Sequence, residues 1–411
     1  MISDTSPRFG RSGMRIATLG FDEELVEFVR QIEQSPKHHL VGSFDAGDGT
    51  SDIEAISPQT RATAESWEGL LSGTVADLVI VASRPSSAAA VEQRDDQLRK
   101  LVQAGTPMLL IQSTCQMIVA FELEMIRQDS KCVMLPYHPM IFHPAYQAIR
   151  KLVTDENAEQ LGNIEQIIWN RQAVTRDRKT VLNTFTHDAI VLRDLLGNVT
   201  RVAAMVSSDS DNGFANLGVQ LTGSNDQLAR WSIGPVQEHS GAKLTVVGSM
   251  GSAVLAMLPN EPCELSIDGE RKEIAEVCPV NAALAWAEEH LASDDGAMWD
   301  QACRVMELED AVQRSARRGR TIELYNEMVS ERETFKSMMA AGGCGLLLWV
   351  MFLLLVAGIV EGLQLPIRDS LFWRLWPVYL AAPLFIFLLM QLLQLAAAKP
   401  ERPTAPEEDE G

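Results

Sequence analysis

The sequence has no C-x-x-C pair: its six cysteines, Cys115, Cys132, Cys263, Cys278, Cys303 and Cys344, are scattered singly. That spacing suggests neither a zinc site nor a disulfide scaffold, and they read as reduced, mostly buried thiols. Positive charge is scarce as well, with 35 Lys and Arg against 55 Asp and Glu and a net charge of -20. Such a field repels phosphate backbones, so no nucleic-acid partner is expected. The opening MISDTSPRFGRSG lacks an apolar stretch and a small-residue cleavage site. It reads as a disordered lead over 1–13 rather than a secretory signal.

What is present is apolar sequence, 46% of 411 residues, concentrated near the carboxyl end. The length suits two domains with something added. MMAAGGCGLLLWVMFLLLVAGIV, 338–360, carries no charge, and LFWRLWPVYLAAPLFIFLLMQLLQLAAA, 371–398, carries only Arg374. About 20 such residues suffice to cross a bilayer as a helix, so the segments predict a transmembrane helical hairpin with the lipid bilayer as partner. Trp373, Trp376 and Tyr379 would form an interfacial belt. With no export signal read, the body is expected to face the cytoplasm. The acidic, Pro-rich 399–411 is expected to be disordered.

Ahead of the hairpin, short β-branched runs alternate with helical stretches: RIATLG (15–20), HLVGSFD (39–45), DLVIVAS (77–83), PMLLIQS (107–113) and CVMLP (132–136). Alternation of this kind predicts an α/β domain, a Rossmann-like doubly wound parallel sheet over 14–136. A dinucleotide cradle needs G-x-G-x-x-G after the first strand, because only glycine lets the backbone approach the pyrophosphate. The frame here is Gly20, Asp22, Leu25, followed by Glu23 and Glu24 at the helix start. Those acids suit the helix dipole and repel a diphosphate. Two readings follow: an acid-capped helix on an inherited scaffold, or a weakened nucleotide site. Asp45 stands at the end of the second strand, where a ribose-binding acid sits, though farther along than the usual spacing of about 20 residues.

From ADLVIVASRPSSA (76–88), QAGTPMLLIQS (103–113), LGNIEQIIW (161–169), THDAIVLRDLLG (186–197) and MELEDAVQRSARRGRTIEL (306–324), taken in order, the chain resembles the Gfo/Idh/MocA oxidoreductase family. The resemblance covers most of 14–325. It implies a second, α+β domain over 137–336 with an open, mostly antiparallel sheet and a returning helix, and often an oligomer contact. IEQIIWNRQAV, RVAAMVSS, NLGVQLTG, LARWSIGP, KLTVVGS and SAVLAML read as its successive strands.

The resemblance also implies NAD or NADP, lined by Gly20, Asp45, Ser83 and Pro85, and a small sugar-like ligand. In active members hydride transfer is aided by a lysine from Glu-Lys-Pro and by a histidine with an aspartate three residues on. Carried over, the lysine place holds Gln112, which cannot shuttle a proton. His187 matches the histidine, but Ile190 stands three residues later. Of the nearby acids, Asp188 points about 100° away on a helix, while Asp194 returns to the same face two turns on. The sequence therefore predicts weak or lost cofactor binding and a catalytically degenerate ligand-binding, sensing or scaffolding protein. The alternative is an active NAD(P)-dependent dehydrogenase of a sugar or polyol using His187. His138 and His143, in LPYHPMIFHP, have metal-ligand chemistry, but proline-flanked histidines in a loop need no ion, and no metal site is expected.

Overall fold

The computed structural model describes residues 13–58, 62–63, 67–85, 87–154, 160–207, 216–224, 226–236, 239–258, 261–274, 277–291, 296–324, 346, 348–360, 362, 375, 378–379, 381–383 and 385. The chain divides into two compact units, Met1–Asn326 and Glu327–Gly411.

The first sheet holds β1 (Arg15–Leu19), β2 (His39–Phe44), β3 (Ala62–Thr63), β4 (Leu78–Val81), β5 (Met108–Ile111) and β6 (Met134–Tyr137). They pair in parallel in the order β3-β2-β1-β4-β5-β6. Both faces are covered, which is why these strands read as unbroken apolar runs. Successive side chains point to opposite faces. Ile16, Leu78, Ile80, Leu109 and Ile111 pack with Leu25, Phe28, Val29 and Ile32 of α1 (Glu23–Gln34). Beyond β2 the chain turns through α2 (Thr50–Ile56). Ala17, Leu19, Val79, Val81, Met108 and Leu110 pack instead with Leu98, Leu101 and Val102 of α3 (Ala88–Ala104) and Val119, Ala120 and Leu123 of α4 (Met117–Ser130). Gly105 ends α3 in the left-handed conformation at φ 72°, and its N–H bonds back to the last turn.

The chain crosses to the second layer through α5 (Pro144–Thr154), β7 (Ile164–Ala173) and α6 (Arg178–Leu196). There follow β8 (Val199–Ser207), β9 (Asn216–Gly223), β10 (Leu228–Val236), β11 (Gly241–Gly248), β12 (Ser252–Met257), β13 (Glu264–Ile267) and β14 (Glu270–Lys272). Then come α7 (Pro279–His290), α8 (Ala297–Arg318) and β15 (Ile322–Glu323). The order is β14-β13-β12-β11-β7-β10-β9-β8-β15, antiparallel except for the β7–β10 pair. All six strands expected in this domain are present. The short β13, β14 and β15 carry little apolar sequence and were not legible.

Ile167, Trp169, Trp231 and Leu244 turn one face of this sheet onto α5 and α6. The last two helices tie the layers together. Val305, Leu308, Ala311 and Val312 of α8 enter this core, while its Trp299, Cys303 and Met306 enter the parallel-sheet core. Val280, Ala283, Leu284 and Ala287 of α7 complete the core over α1.

The transmembrane hairpin expected at 338–360 and 371–398 is not supported. Among the described residues no helix is long and apolar enough to cross a membrane. Most of 371–398, the lead and the acidic tail lie outside the described residues.

Candidate functional site

The acid-rich turn after β1 has a specific use. Asp22 is the N-cap of α1, and its Oδ1 accepts the Leu25 backbone N–H at 2.7 Å. Its other oxygen, Oδ2, accepts the backbone N–H of Ser83, just beyond β4, at 2.5 Å. One carboxylate thus takes a helix-terminal amide and an amide from the neighbouring strand end, the kind of donor pair that holds an anion at the mouth of this fold.

The rest of the mouth is filled from inside. Gly20 has φ 90° and sends its N–H to the Phe44 carbonyl at 2.8 Å. A Cβ there would lie 2.3 Å from Arg94 Nη2. Arg94 is 4% exposed, donates to the Leu19 carbonyl at 3.2 Å and to Gln97 Oε1 at 3.1 Å, and is opposed in its burial by the charges of Asp45 and Asp22. Asp45, at φ 56°, accepts from Gln93 Nε2 at 3.0 Å and Gln97 Nε2 at 2.9 Å through one oxygen. Phe21 lies over Gly49, whose Cβ would meet the ring at 1.9 Å. The turn after β1 thus places the Asp22 carboxylate at the head of α1, a buried guanidinium beside Gly20, and Asp45 in the grip of two glutamine amides.

Beside the mouth lies a cleft of about 720 Å³, lined on one side by Ser83, Arg84, Pro85 and Gln112 and on the other by His187 of α6. Four of the residues expected at a cofactor or catalytic site thus converge. Gly20 and Asp45 lie in the filled mouth, and Asp194 is elsewhere. Its carboxylate accepts from Tyr146 Oη at 2.6 Å and pairs with Arg150 at 2.9 Å. Gln112 is 5% exposed, yet among the described residues neither atom of its amide has a hydrogen-bond partner.

His187 belongs to a chain of bonds that starts at the backbone. The Met140 N–H donates to His138 Nδ1 at 3.2 Å, and His138 Nε2 lies 3.0 Å from His187 Nδ1. Burial holds His138 well below the ordinary imidazole value, so it is neutral with its proton on Nε2. His187 Nδ1 is then an acceptor, and His187 carries its proton on Nε2, 3.7 Å from Glu24 Oε1. Burial opposes charging of His187, but the Asp188 and Glu24 carboxylates outweigh it and raise the imidazole value.

Asp188 is wholly buried beneath this pair. Arg171 Nε donates to it at 2.7 Å and Nη2 at 2.5 Å, and Trp231 Nε1 donates at 2.7 Å. Burial raises a carboxyl group, yet the Arg171 charge prevails and holds Asp188 below the ordinary range. Asp188 therefore anchors β7 and β10 to α6 rather than facing the cleft.

Lys179, Asn183, Arg84 and Glu309 line the cleft without having been singled out from the sequence. Lys179, Asn183 and His187 recur every four residues, a spacing that puts them on one helix face and was available to read. Arg84 and Glu309 arrive from segments far apart in the chain, so no local pattern marks them. Among the described residues, no cluster of His, Cys, Asp and Glu fit to hold a metal ion is found. His143 Nδ1 accepts the Ala145 N–H at 3.2 Å, a local turn contact.

Solved structures share this architecture. Aldose-aldose oxidoreductase from Caulobacter crescentus, crystallised with glycerol, is 15% identical and superposes with a TM-score of 0.63 over 76% of this chain and 100% of its own. Myo-inositol dehydrogenase from Corynebacterium glutamicum is 18% identical, with a TM-score of 0.61 over 77% of this chain and 100% of its own. GenD2 from gentamicin A biosynthesis, solved with NAD, is 15% identical, with a TM-score of 0.61 over 79% and 99%. No protein-family model and no curated protein sequence matches the chain. The fold is that of the Gfo/Idh/MocA-type oxidoreductases.

Proposed function

We propose that this protein uses the Gfo/Idh/MocA oxidoreductase fold to bind a small polar molecule without transferring hydride to or from a nicotinamide. One observation carries the reading: the Asp22 carboxylate already takes the Leu25 and Ser83 amides. An anion displacing it must break both bonds and sit beside a like charge, an unfavourable exchange at a helix start. Gln112 at the lysine place supports the same conclusion, because a primary amide neither gives nor takes a proton near neutral pH. Loss of general acid and base assistance alone lowers a rate by about 10² to 10⁴.

The competing reading, an NAD(P)-dependent dehydrogenase of a sugar or polyol, is favoured by the activities in the names of the neighbours and by Lys179 and His187 lining one cleft. Absorbance at 340 nm separates the two. With NAD or NADP at millimolar concentration and a panel of polyols, no turnover above the buffer rate is expected. Turnover abolished by His187→Ala would establish the dehydrogenase.

A further inference from the structure

The cleft contains a polar group left without a partner. Gln112 is 5% exposed, lines the cleft, and among the described residues finds no hydrogen-bond partner for either its carbonyl or its amino group. A buried amide in that condition is destabilising unless something else completes it. What completes it must offer both a donor and an acceptor, as the amide itself does.

Two further groups narrow the ligand. His187 Nε2 carries a proton in either charge state, because Nδ1 is held as an acceptor by the neutral, backbone-anchored His138 when His187 is uncharged, and both nitrogens are protonated when it is charged. It therefore offers a donor to the cleft and no base. The Arg84 guanidinium also lines the cleft and, among the described residues, has no ion pair within 4.0 Å. The Arg84 guanidinium is a planar fork that suits a carboxylate with two in-plane bonds. Asp95 and Glu309 lie on the same walls. They make a phosphate dianion a poor occupant and supply acceptors for hydroxyl groups.

Resting on the reading above of a cleft that binds without hydride transfer, we infer that the cleft takes a small hydroxy-carboxylate monoanion, its carboxylate received by Arg84 and its hydroxyls by Gln112, His187 and the wall acids. His138 is then a positioning residue: it fixes which face of His187 is presented and does not touch the ligand.

The test compares D-gluconate with D-glucitol, which share a six-carbon hydroxylated chain and differ in the carboxylate, by calorimetric titration of the full chain. Gluconate is expected to saturate, with glucitol and inorganic phosphate each at least tenfold weaker. Gln112→Met is expected to abolish gluconate binding while raising Tm, because it removes an unpaired buried amide. Arg84→Gln is expected to weaken gluconate at least tenfold with Tm unchanged. Equal binding of glucitol, tighter binding of phosphate, or a Gln112→Met variant that melts lower would each overturn the inference. If NADH and gluconate are both ignored, the inference fails and the non-redox reading stands. If gluconate binds only once NADH is present, the ligand class stands and the non-redox reading fails.

Discussion

Replacing Asp22 with alanine removes two hydrogen bonds to backbone amides at once. Loss of an N-cap costs about 1 kcal/mol. The Ser83 N–H, bonded at 2.5 Å to Asp22 Oδ2, is then orphaned. An unsatisfied buried donor costs about 1–3 kcal/mol, and the lower end applies because Ser83 is half-buried and water repairs part of the loss. The sum is about 2 kcal/mol, measured as a shift in the urea midpoint of the full chain at constant slope. Asp22→Asn keeps a capping oxygen and is expected to recover about half. The same experiment carries a second readout. In Asp22→Ala the freed amides accept an external anion, so inorganic phosphate is expected to stabilise the variant more than the wild type through mass action. An Asp22→Ala protein within about 0.5 kcal/mol of wild type, with no added response to phosphate, would refute the role given to this carboxylate.

Other consequences are open to measurement. Asp188→Ala leaves the half-buried Arg171 charge without its partner and orphans the buried Trp231 Nε1, so a loss of about 3 kcal/mol is expected by urea unfolding; a loss under 1 kcal/mol would show that the pair is solvated. His138, held below its unfolded value of 6.5, contributes stability that is full above pH 6.5 and lost as pH falls beneath it, by up to about 1.4 kcal/mol per pH unit. His187, raised above 6.5, acts oppositely, its contribution present below pH 6.5 and lost as pH rises through its folded value. The stability advantage of wild type over His138→Asn, followed from pH 8 to pH 5, is therefore expected to shrink towards acid, and a constant difference would contradict the buried neutral assignment. Burial pushes the Cys132 thiol up to about 12 and raises the Cys115 and Cys303 thiols as well. Iodoacetamide mapping on the native protein at pH 8 should label Cys278 and leave those three until denaturant is added.

The parallel sheet was legible because its chemistry is local. Ile16, Leu78, Ile80, Leu109 and Ile111 lie in β-branched or leucine-rich runs between amphipathic helices, and α1 begins and ends where EELVEFVRQIEQ does. The acid at position 22 was equally readable as a cap, since capping depends on the next three residues. Its bond to Ser83 was not, because the two are brought together only by the β1–β4 pairing. Arg94 and Gln97 reach the mouth from α3 by the same tertiary route. His138 and His187 were each visible alone, while the 3.0 Å contact between them depends on the tertiary approach of α6 to the segment that follows β6. Asp188 was set aside because helical geometry turns it away from His187, and that direction is what points it into the core towards Arg171 and Trp231. Apolar composition at the carboxyl end suggested membrane spans, and among the described residues no helix is long and apolar enough to cross a membrane.

Calorimetric titration of NADH and NADPH into the full wild-type chain, beside Asp22→Gly, puts the filled mouth to the test. No saturable heat is expected from wild type up to about 1 mM, which corresponds to binding weaker than about −4.1 kcal/mol, with any gain confined to the glycine variant. Saturable wild-type binding in the micromolar range would contradict the occupation of that mouth by the protein's own carboxylate.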